Sequence, residues 1–290
     1  MGIVRWTIRA LAVLLIGLGG CGSPRQDGEA VVRLVPAPAL TCKPEPKYRW
    51  RDSLGQPYSD AFRKSFDYKD AEVDVRFPRR APLFEGAISA RKLKPNFTYQ
   101  IKLVGLPPSQ WGDKGHVASN RALGDAGRWW RPGPTGGNAY FFDEEKDTEG
   151  MEGYLVFGYF VTDAEGKAEV TFRADSSFHV LWKTSQWPRD KDDSPPTQHK
   201  VVAEAGGLGY DRSFPPGEFA LYAEAQTGRP PIGRVRLAPG DYRCFFLLTE
   251  ESFHDYTNDD GGDWAAALAA LIEFAIAPPD PAIDSAPSNP

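Results

Sequence analysis

The feature that most constrains the fold is a pair of apolar segments joined by a short polar turn between Tyr154 and Asp175. The first segment, residues 154 to 162, is apolar at nearly every position, which is typical of a strand covered on both faces. The second, residues 168 to 175, alternates apolar and polar side chains and predicts a strand with one face in water. The turn between them contains Asp163 and Gly166, which favour a chain reversal. We therefore expect a β-hairpin at the centre of an all-β, two-sheet sandwich.

Other alternating runs predict further strands, at residues 73–77, 86–93, 97–103, 178–184, 218–226, 234–237 and 242–248. In the third of them, Phe97, Tyr99, Ile101 and Leu103 are expected to face the core, and Thr98, Gln100 and Lys102 to face water. Residues 264–276 also alternate, but their alanines favour a helix. For this segment we expect a helical or irregular start and a strand from Leu271 to Ile276. No long amphipathic helix stands out elsewhere, which weighs against an α/β fold.

The first 21 residues have the pattern of an export signal. Arg5 and Arg9 precede nine apolar residues, too few to span a bilayer, which needs about 20. The ending Leu18-Gly19-Gly20-Cys21 resembles the lipobox of bacterial lipoproteins. That resemblance implies cleavage after Gly20, diacylglycerol on the Cys21 sulfur and a further acyl chain, such as palmitate, on its amine. Residue 22 is glycine and not aspartate. This resembles the pattern of lipoproteins that are exported to the outer membrane. An ordinary signal with a chance cysteine is the alternative.

The domain organisation follows from composition. We expect a signal peptide at 1–20, a lipidated flexible tether at 21–47, a sandwich at 48–277 and a disordered tail at 278–290, which is rich in proline. Within the tether, Glu29 to Val35 could add a short strand.

Two short runs resemble immunoglobulin-like modules. Leu93-Lys94-Pro95-Asn96-Phe97-Thr98-Tyr99 is similar to the Leu-x-Pro-x-x-x-Tyr run of fibronectin type III modules, and a second copy begins at Leu237-Ala238-Pro239 and includes Tyr242. In that family the tyrosine closes a sheet corner. Thr162 to Ala168 resembles a hairpin of bacterial immunoglobulin-like surface domains. The resemblance implies an immunoglobulin-like sandwich with long loop insertions and assigns no function.

The remaining cysteines are expected to pair. With Cys21 lipidated, Cys42 and Cys244 are left, and two cysteines in an exported chain more often form a disulfide than stay reduced. Two unpaired buried thiols are the alternative.

Charge argues against some classes of partner. The chain has 34 basic and 39 acidic side chains, a net charge of −5, and no basic cluster in the sequence. It therefore predicts no binding to nucleic acid and gives no indication of binding to anionic headgroups.

The glycine-rich segment from Pro107 to Gly153 is the first candidate site. It is expected to be a long loop, and such loops are often functional. Flat aromatic rings beside polar groups can stack on sugars, and the candidate ligand-binding residues are Trp111, Trp129, Trp130 and Tyr140. The alternative is that these rings bury themselves at the open end of the sandwich.

An acidic run is the second candidate site. Its oxygen-rich side chains could hold calcium, although the spacing does not match an EF-hand and a solvated turn is the alternative. The candidate ligands are Asp255, Asn258, Asp259, Asp260 and Asp263.

Sequence motifs for catalysis are absent: no His-Glu-x-x-His, Cys-x-x-Cys, Gly-x-Ser-x-Gly or phosphate loop occurs. Two hypotheses follow. The first is a non-catalytic, membrane-anchored envelope lipoprotein that binds an envelope protein or glycan through its loops, with no cofactor unless calcium. The second is an envelope hydrolase acting on polysaccharide or peptide through two carboxylates.

Overall fold

A computed structural model describes residues 28–37, 49–106, 114–130, 151–184, 195–225, 230–251 and 264–278. Strands dominate these residues. The helices among them are α1 (Asp60–Ser65), a 3-10 helix at Tyr68–Asp70, and α2 (Lys114–Ala126). In chain order the strands are β1 (Glu29–Arg33), β2 (Val35–Pro36), β3 (Glu72–Pro78), β4 (Arg80–Ala81), β5 (Glu85–Arg91), β6 (Thr98–Val104), β7 (Arg128–Trp130), β8 (Glu152–Val161), β9 (Ala168–Arg173), β10 (Phe178–Lys183), β11 (Thr197–Ala203), β12 (Phe214–Ala225), β13 (Gly240–Glu251) and β14 (Trp264–Ile276).

The described strands form three sheets packed in layers. A four-stranded sheet has the order β1-β3-β5-β9, and a three-stranded sheet has the order β10-β12-β11. The central sheet runs β2-β14-β13-β6-β8-β7, with β4 beside β14. One buried apolar cluster joins the central sheet to the four-stranded sheet, and a second joins it to the three-stranded sheet. The all-β sandwich is confirmed, but it has three layers where two were expected.

The turn predicted between the two central segments is present, but the hairpin is wrong. The Asp163 N–H donates to the Lys167 carbonyl (2.9 Å), and Gly166 has a φ of 69°. β8 pairs with β6 and β7 in the central sheet, whereas β9 pairs with β5 in the four-stranded sheet. The apolar segment needs cover on both faces and the amphipathic one does not, so the turn carries the chain from one layer to the next.

The polar side of β6 does not face water, contrary to the prediction. All seven residues of β6 are buried, and Lys102 is only 3% exposed. Lys102 pairs with Leu247 and Val156, which belong to the cluster shared with the three-stranded sheet. The polar row of Thr98, Gln100 and Lys102 therefore lies on the covered second face of the central sheet.

Three other predictions of local structure are corrected. Residues 264–276 form one strand, because pairing along the whole of β13 outweighs the helix propensity of the alanines. Residues 234–237 are not in a strand. The segment expected to be a long loop contains α2 and β7, and α2 packs against β8 and β13 with Leu123 fully buried.

Part of the expected tether belongs to the sandwich. β1, at the predicted short strand, pairs with β3, and β2 pairs with β14. Between them Leu34 is buried, and its N–H donates to the Val73 carbonyl (2.9 Å). The described sandwich therefore already includes Glu29, well before the predicted start near Tyr48.

Both Leu-x-Pro runs place a tyrosine at a corner. The Tyr242 hydroxyl donates to the Ala238 carbonyl (2.7 Å), and the Lys94 N–H donates to the Tyr99 hydroxyl (3.2 Å). The first run also contacts the Asp163–Lys167 turn, since the Asn96 N–H donates to the Asp163 carbonyl (2.9 Å). These corners occur in many sandwiches, and the immunoglobulin-like topology stays a prediction.

Candidate functional site

Most of the residues proposed from sequence lie outside the described residues. These are Cys21, Cys42, Trp111, Tyr140 and the acidic set Asp255, Asn258, Asp259, Asp260 and Asp263. Trp130 is described in its backbone, at the end of β7. The side chains of Trp129 and Cys244 are described, and both are buried.

Trp129 has a structural position that does not suit the predicted stacking on a sugar. It is 8% exposed, and its ring lies against Gly124 of α2, where an added Cβ would come within 2.2 Å of the indole. Glycine at this point lets the helix approach the ring closely. The indole face is therefore occupied by α2, in agreement with the alternative that the ring is buried.

Cys244 is a free thiol, so the Cys42–Cys244 disulfide is not found. Its side chain points from β13 into the apolar cluster between the four-stranded and central sheets and has no exposed surface. Burial raises the pKa of this thiol, which keeps it protonated and unreactive. A bond to a cysteine in the N-terminal segment would require that cysteine to enter the core.

A group of polar side chains lies where β7 and β8 meet the three-stranded sheet. We call Arg128, His179, Trp182 and Glu224 the charged rim. Arg128 Nη1 donates to the His179 carbonyl (3.2 Å), and its guanidinium lies 6.0 Å from the centre of the Tyr154 ring. Trp182 Nε1 donates to Glu224 Oε2 (2.7 Å), and His179 Nδ1 lies 3.6 Å from Glu224 Oε1. The rim therefore joins β7, β10 and β12.

Glu152 is a further unusual residue near the rim strands. It lies at the start of β8, paired with Trp130 of β7, it is 3% exposed, and its Oε2 has no hydrogen-bond partner among the described residues. Burial disfavours the charged carboxylate and raises the pKa of Glu152 to about 7. A carboxyl group that gains and loses a proton near neutrality can act as a general acid or base.

A second group of charges lies at the other end of the central sheet. Lys94 and Glu250 are almost fully buried, with Nζ 2.8 Å from Oε1. Tyr68 donates to the same oxygen (2.8 Å), and Arg49 Nε lies 3.4 Å from it. Lys94 Nζ also donates to the Arg49 carbonyl (2.7 Å) and lies 4.8 Å from the centre of the Trp50 ring. We call these residues the charge clamp, which ties residues 49–50 and the Leu-x-Pro turn to β13.

A buried carboxylate organises the loop beside the clamp. Asp52 accepts hydrogen bonds from the Leu54 and Gln56 N–H groups (2.9 and 2.8 Å) and from the Tyr210 hydroxyl (2.8 Å). Burial raises the pKa of Asp52, and these hydrogen bonds oppose that change. Burial also lowers the pKa of Lys183 to about 8, against the attraction of Asp52. No sequence pattern indicates the contact that anchors this loop, because Tyr210 lies 158 positions after Asp52 in the chain.

The second face of the central sheet carries a further charged pair. Glu251 ends β13 and Lys102 lies in β6, and both are buried. Burial raises the pKa of Glu251 to about 8, although Lys102 opposes this. The Thr249 hydroxyl on the same face has no hydrogen-bond partner in the part of the chain that the structure describes. Such polar groups in an interior are costly unless they are paired.

Neither a metal centre nor a membrane-spanning helix is found in the described part of the chain. No group of three or more His, Cys, Asp or Glu side chains there has metal-binding geometry. None of the described helices is long and apolar enough to cross a bilayer. The calcium hypothesis concerns residues outside this part and stays a prediction.

Comparison of the chain with protein-family models, with curated proteins and with solved structures found no significant match. The function must therefore be argued from the residues themselves.

Proposed function

We propose that this protein is a non-catalytic binding protein of the bacterial cell envelope, held at the outer membrane by lipid on Cys21. The observation that carries the binding role is the covering of the central sheet on both faces. A sheet buried in this way offers no open face to a ligand, so recognition by the central sheet falls to the segments at its two ends. Functional residues are commonly placed on loops that a rigid scaffold positions.

The buried charges support the same role. In the charge clamp, Lys94, Arg49 and Tyr68 all converge on one oxygen of Glu250. Breaking such a group leaves an uncompensated charge in the interior, so the turns it joins are held firmly. Rigid turns lower the entropic cost of binding a partner.

The lipid anchor is tested by metabolic labelling of the full chain with an alkyne fatty acid in a bacterial host. We expect labelling of the wild type and of Cys42→Ala, and no labelling of Cys21→Ser. Two or more acyl chains also hold a protein stably in membranes, so the labelled protein should fractionate with the outer membrane. An unlabelled wild type would end the anchor hypothesis.

The binding role is tested on a glycan array and with envelope polysaccharide, with calcium present or chelated. The protein for this test begins at Gly22, so that β1 and β2 are retained. We expect Trp111→Ala and Trp130→Ala to weaken glycan binding by about tenfold if these aromatic rings provide the contact. Trp129→Phe is the matched control, because the Trp129 ring packs against α2. Equal glycan binding by all variants would exclude the segment from Pro107 to Gly153 as the binding site.

Buried Glu152 favours a second candidate, a hydrolase acting on polysaccharide. Glu152 has a pKa of about 7 and suits a general acid, and such a hydrolase also needs a second carboxylate. Under this hypothesis, Glu152→Gln abolishes turnover of a polysaccharide panel, and Glu85→Gln, an exposed carboxylate in β5, leaves it unchanged. Turnover that survives Glu152→Gln would exclude Glu152 as the catalytic acid.

A further inference from the structure

The chain enters and leaves the described sandwich at the same end. Gly28 precedes β1, and its carbonyl accepts from the Arg79 N–H (3.0 Å). The Ala275 N–H donates to the Arg79 carbonyl (2.8 Å) and the Ala277 N–H to the Ala81 carbonyl (2.8 Å). The segment that leads to Cys21 and the C-terminal segment therefore both leave beside residues 79–81. We call this the anchor end.

Exposed arginines surround the anchor end. Arg79 and Arg80 lie between β3 and β14, and Arg76 pairs with Val31, a residue that is 57% exposed. Arg234 and Arg236 flank Val235, whose N–H donates to the Asp175 carbonyl (2.9 Å) just beyond β9. None of these five arginine side chains makes an ion pair with a described residue.

Most acidic side chains near the anchor end are already engaged. Arg173 Nε lies 3.5 Å from Glu85 and 3.6 Å from Asp175, and Arg243 Nε lies 3.2 Å from Glu273. Asp241 also has a partner, so Glu29 at the start of β1 remains as an exposed carboxylate. Among the described residues of the anchor end, five arginines thus lack an ion-pair partner, whereas Glu29 is an exposed carboxylate beside them, although the whole chain has a net charge of −5.

The short connection from Cys21 to Gly28 keeps the anchor end near any lipid on Cys21. Seven residue steps separate Cys21 from Gly28, and they can span at most about 25 Å. The expected long tether would have permitted a much larger distance.

We propose that the anchor end docks on the phosphate headgroups of an anionic lipid surface. This inference rests on the lipid anchor of the proposed function. The guanidinium fork matches phosphate oxygens geometrically, and the short connection supplies a high local concentration of headgroups. Docking orients the sandwich with the charge clamp and its turns away from the membrane.

The test uses the lipidated full chain in vesicles of phosphatidylcholine, with or without about one third phosphatidylglycerol. Arginine side chains are labelled with phenylglyoxal and read by mass spectrometry. We expect Arg76, Arg79, Arg80, Arg234 and Arg236 to react severalfold more slowly on the anionic vesicles, and Arg91, at the opposite end of β5, to react equally on both. Salt of about 1 M, where the screening length is about 3 Å, should remove the protection.

Paired variants sharpen the test. In Arg79→Gln/Arg80→Gln, the protection of Arg234 and Arg236 should fall about fivefold or more, because each arginine near an anionic surface contributes about that factor. Lys64→Gln/Arg91→Gln removes the same charge from the opposite end and should keep the protection. Equal labelling on both vesicle types would overturn docking, as would equal protection by free inorganic phosphate on neutral vesicles. A chain that fails to float with neutral vesicles contradicts the lipid anchor instead.

Discussion

The two faces of the central sheet are buried by different kinds of side chain. The face toward the four-stranded sheet is closed mainly by aromatic rings, and Phe84 contacts five of them. Its charges are confined to one end, where the clamp pairs them. The opposite face carries a polar row along its length, including Lys102 and Glu251. The first interface should therefore provide most of the stability, and the second should make that stability depend on pH.

The largest expected effect is at the centre of the aromatic interface. Phe84 is 2% exposed, and its ring stacks on Phe274 with centroids 4.1 Å apart. Phe84→Ala should lower the free energy of unfolding by about 3–5 kcal/mol, because it leaves a cavity among rings that cannot collapse to fill it. Urea denaturation measures this, with the exposed Leu271→Ala as the control. A loss below about 1 kcal/mol would show that the two faces do not differ as described.

Removing one member of the charge clamp comes next. Lys94→Met should lower the free energy of unfolding by about 3 kcal/mol, because Glu250 then remains buried without its closest cation. Lys64→Met, on the surface of α1, is the matched control. If Lys94→Met left the free energy of unfolding unchanged, water or Arg49 would have to compensate for the charge of Glu250.

The pH dependence tests the polar face. The pKa of Glu251 is raised to about 8 in the folded protein, above its ordinary value of 4.5, so the folded state holds this proton more tightly than the unfolded state. Its contribution to stability is therefore fully present below about pH 4.5 and is lost as the pH rises toward 8. Urea midpoints should fall over this range, with a slope of at most about 1.4 kcal/mol per pH unit from this group.

Glu251→Gln should flatten that slope, because the amide does not titrate. Glu85→Gln, which removes an exposed carboxylate from β5, should leave it unchanged. A slope that persists in Glu251→Gln would assign the effect to other groups, Glu152 among them.

The smallest expected effect concerns an ion pair on the outer surface. Arg33 contacts both carboxylate oxygens of Asp74 (2.6 and 2.8 Å), but the two side chains are largely solvated. Arg33→Ala should therefore cost about 0.2–1 kcal/mol, and less in high salt. A cost as large as that of Lys94→Met would mean that burial does not determine the value of an ion pair here.

Sequence patterns located the strands better than their partners. Alternation identified β3, β5 and β6, and the Asp163–Gly166 turn was recognised from its residues. The pairing of β8 with β6, across more than 50 residues, depends on burial on both faces, which a local pattern does not specify. The same limit explains the wrong prediction for Lys102. A polar side chain indicates exposure to water, and the burial of Lys102 depends on the three-stranded sheet that covers this face.

The candidate site was still less predictable. The tryptophans in the segment between β6 and β8 predict stacking on a sugar, yet the Trp129 ring packs against α2. Arg128, His179 and Glu224 come from three separate strands, and no spacing in the sequence brings them together. The displaced pKa of Glu152 arises from burial, which is a property of the assembled layers.

The short first strand, β1, also determines how the protein resists a pulling force. In the proposed orientation, β1 begins at the membrane side and runs away from it, paired with β3 over five residues. A pull between the lipid and the body of the sandwich acts along this ladder, so its hydrogen bonds are loaded in shear and resist together. Residues 29–33 would thus bear the load of anchorage, and not only fill the edge of a sheet.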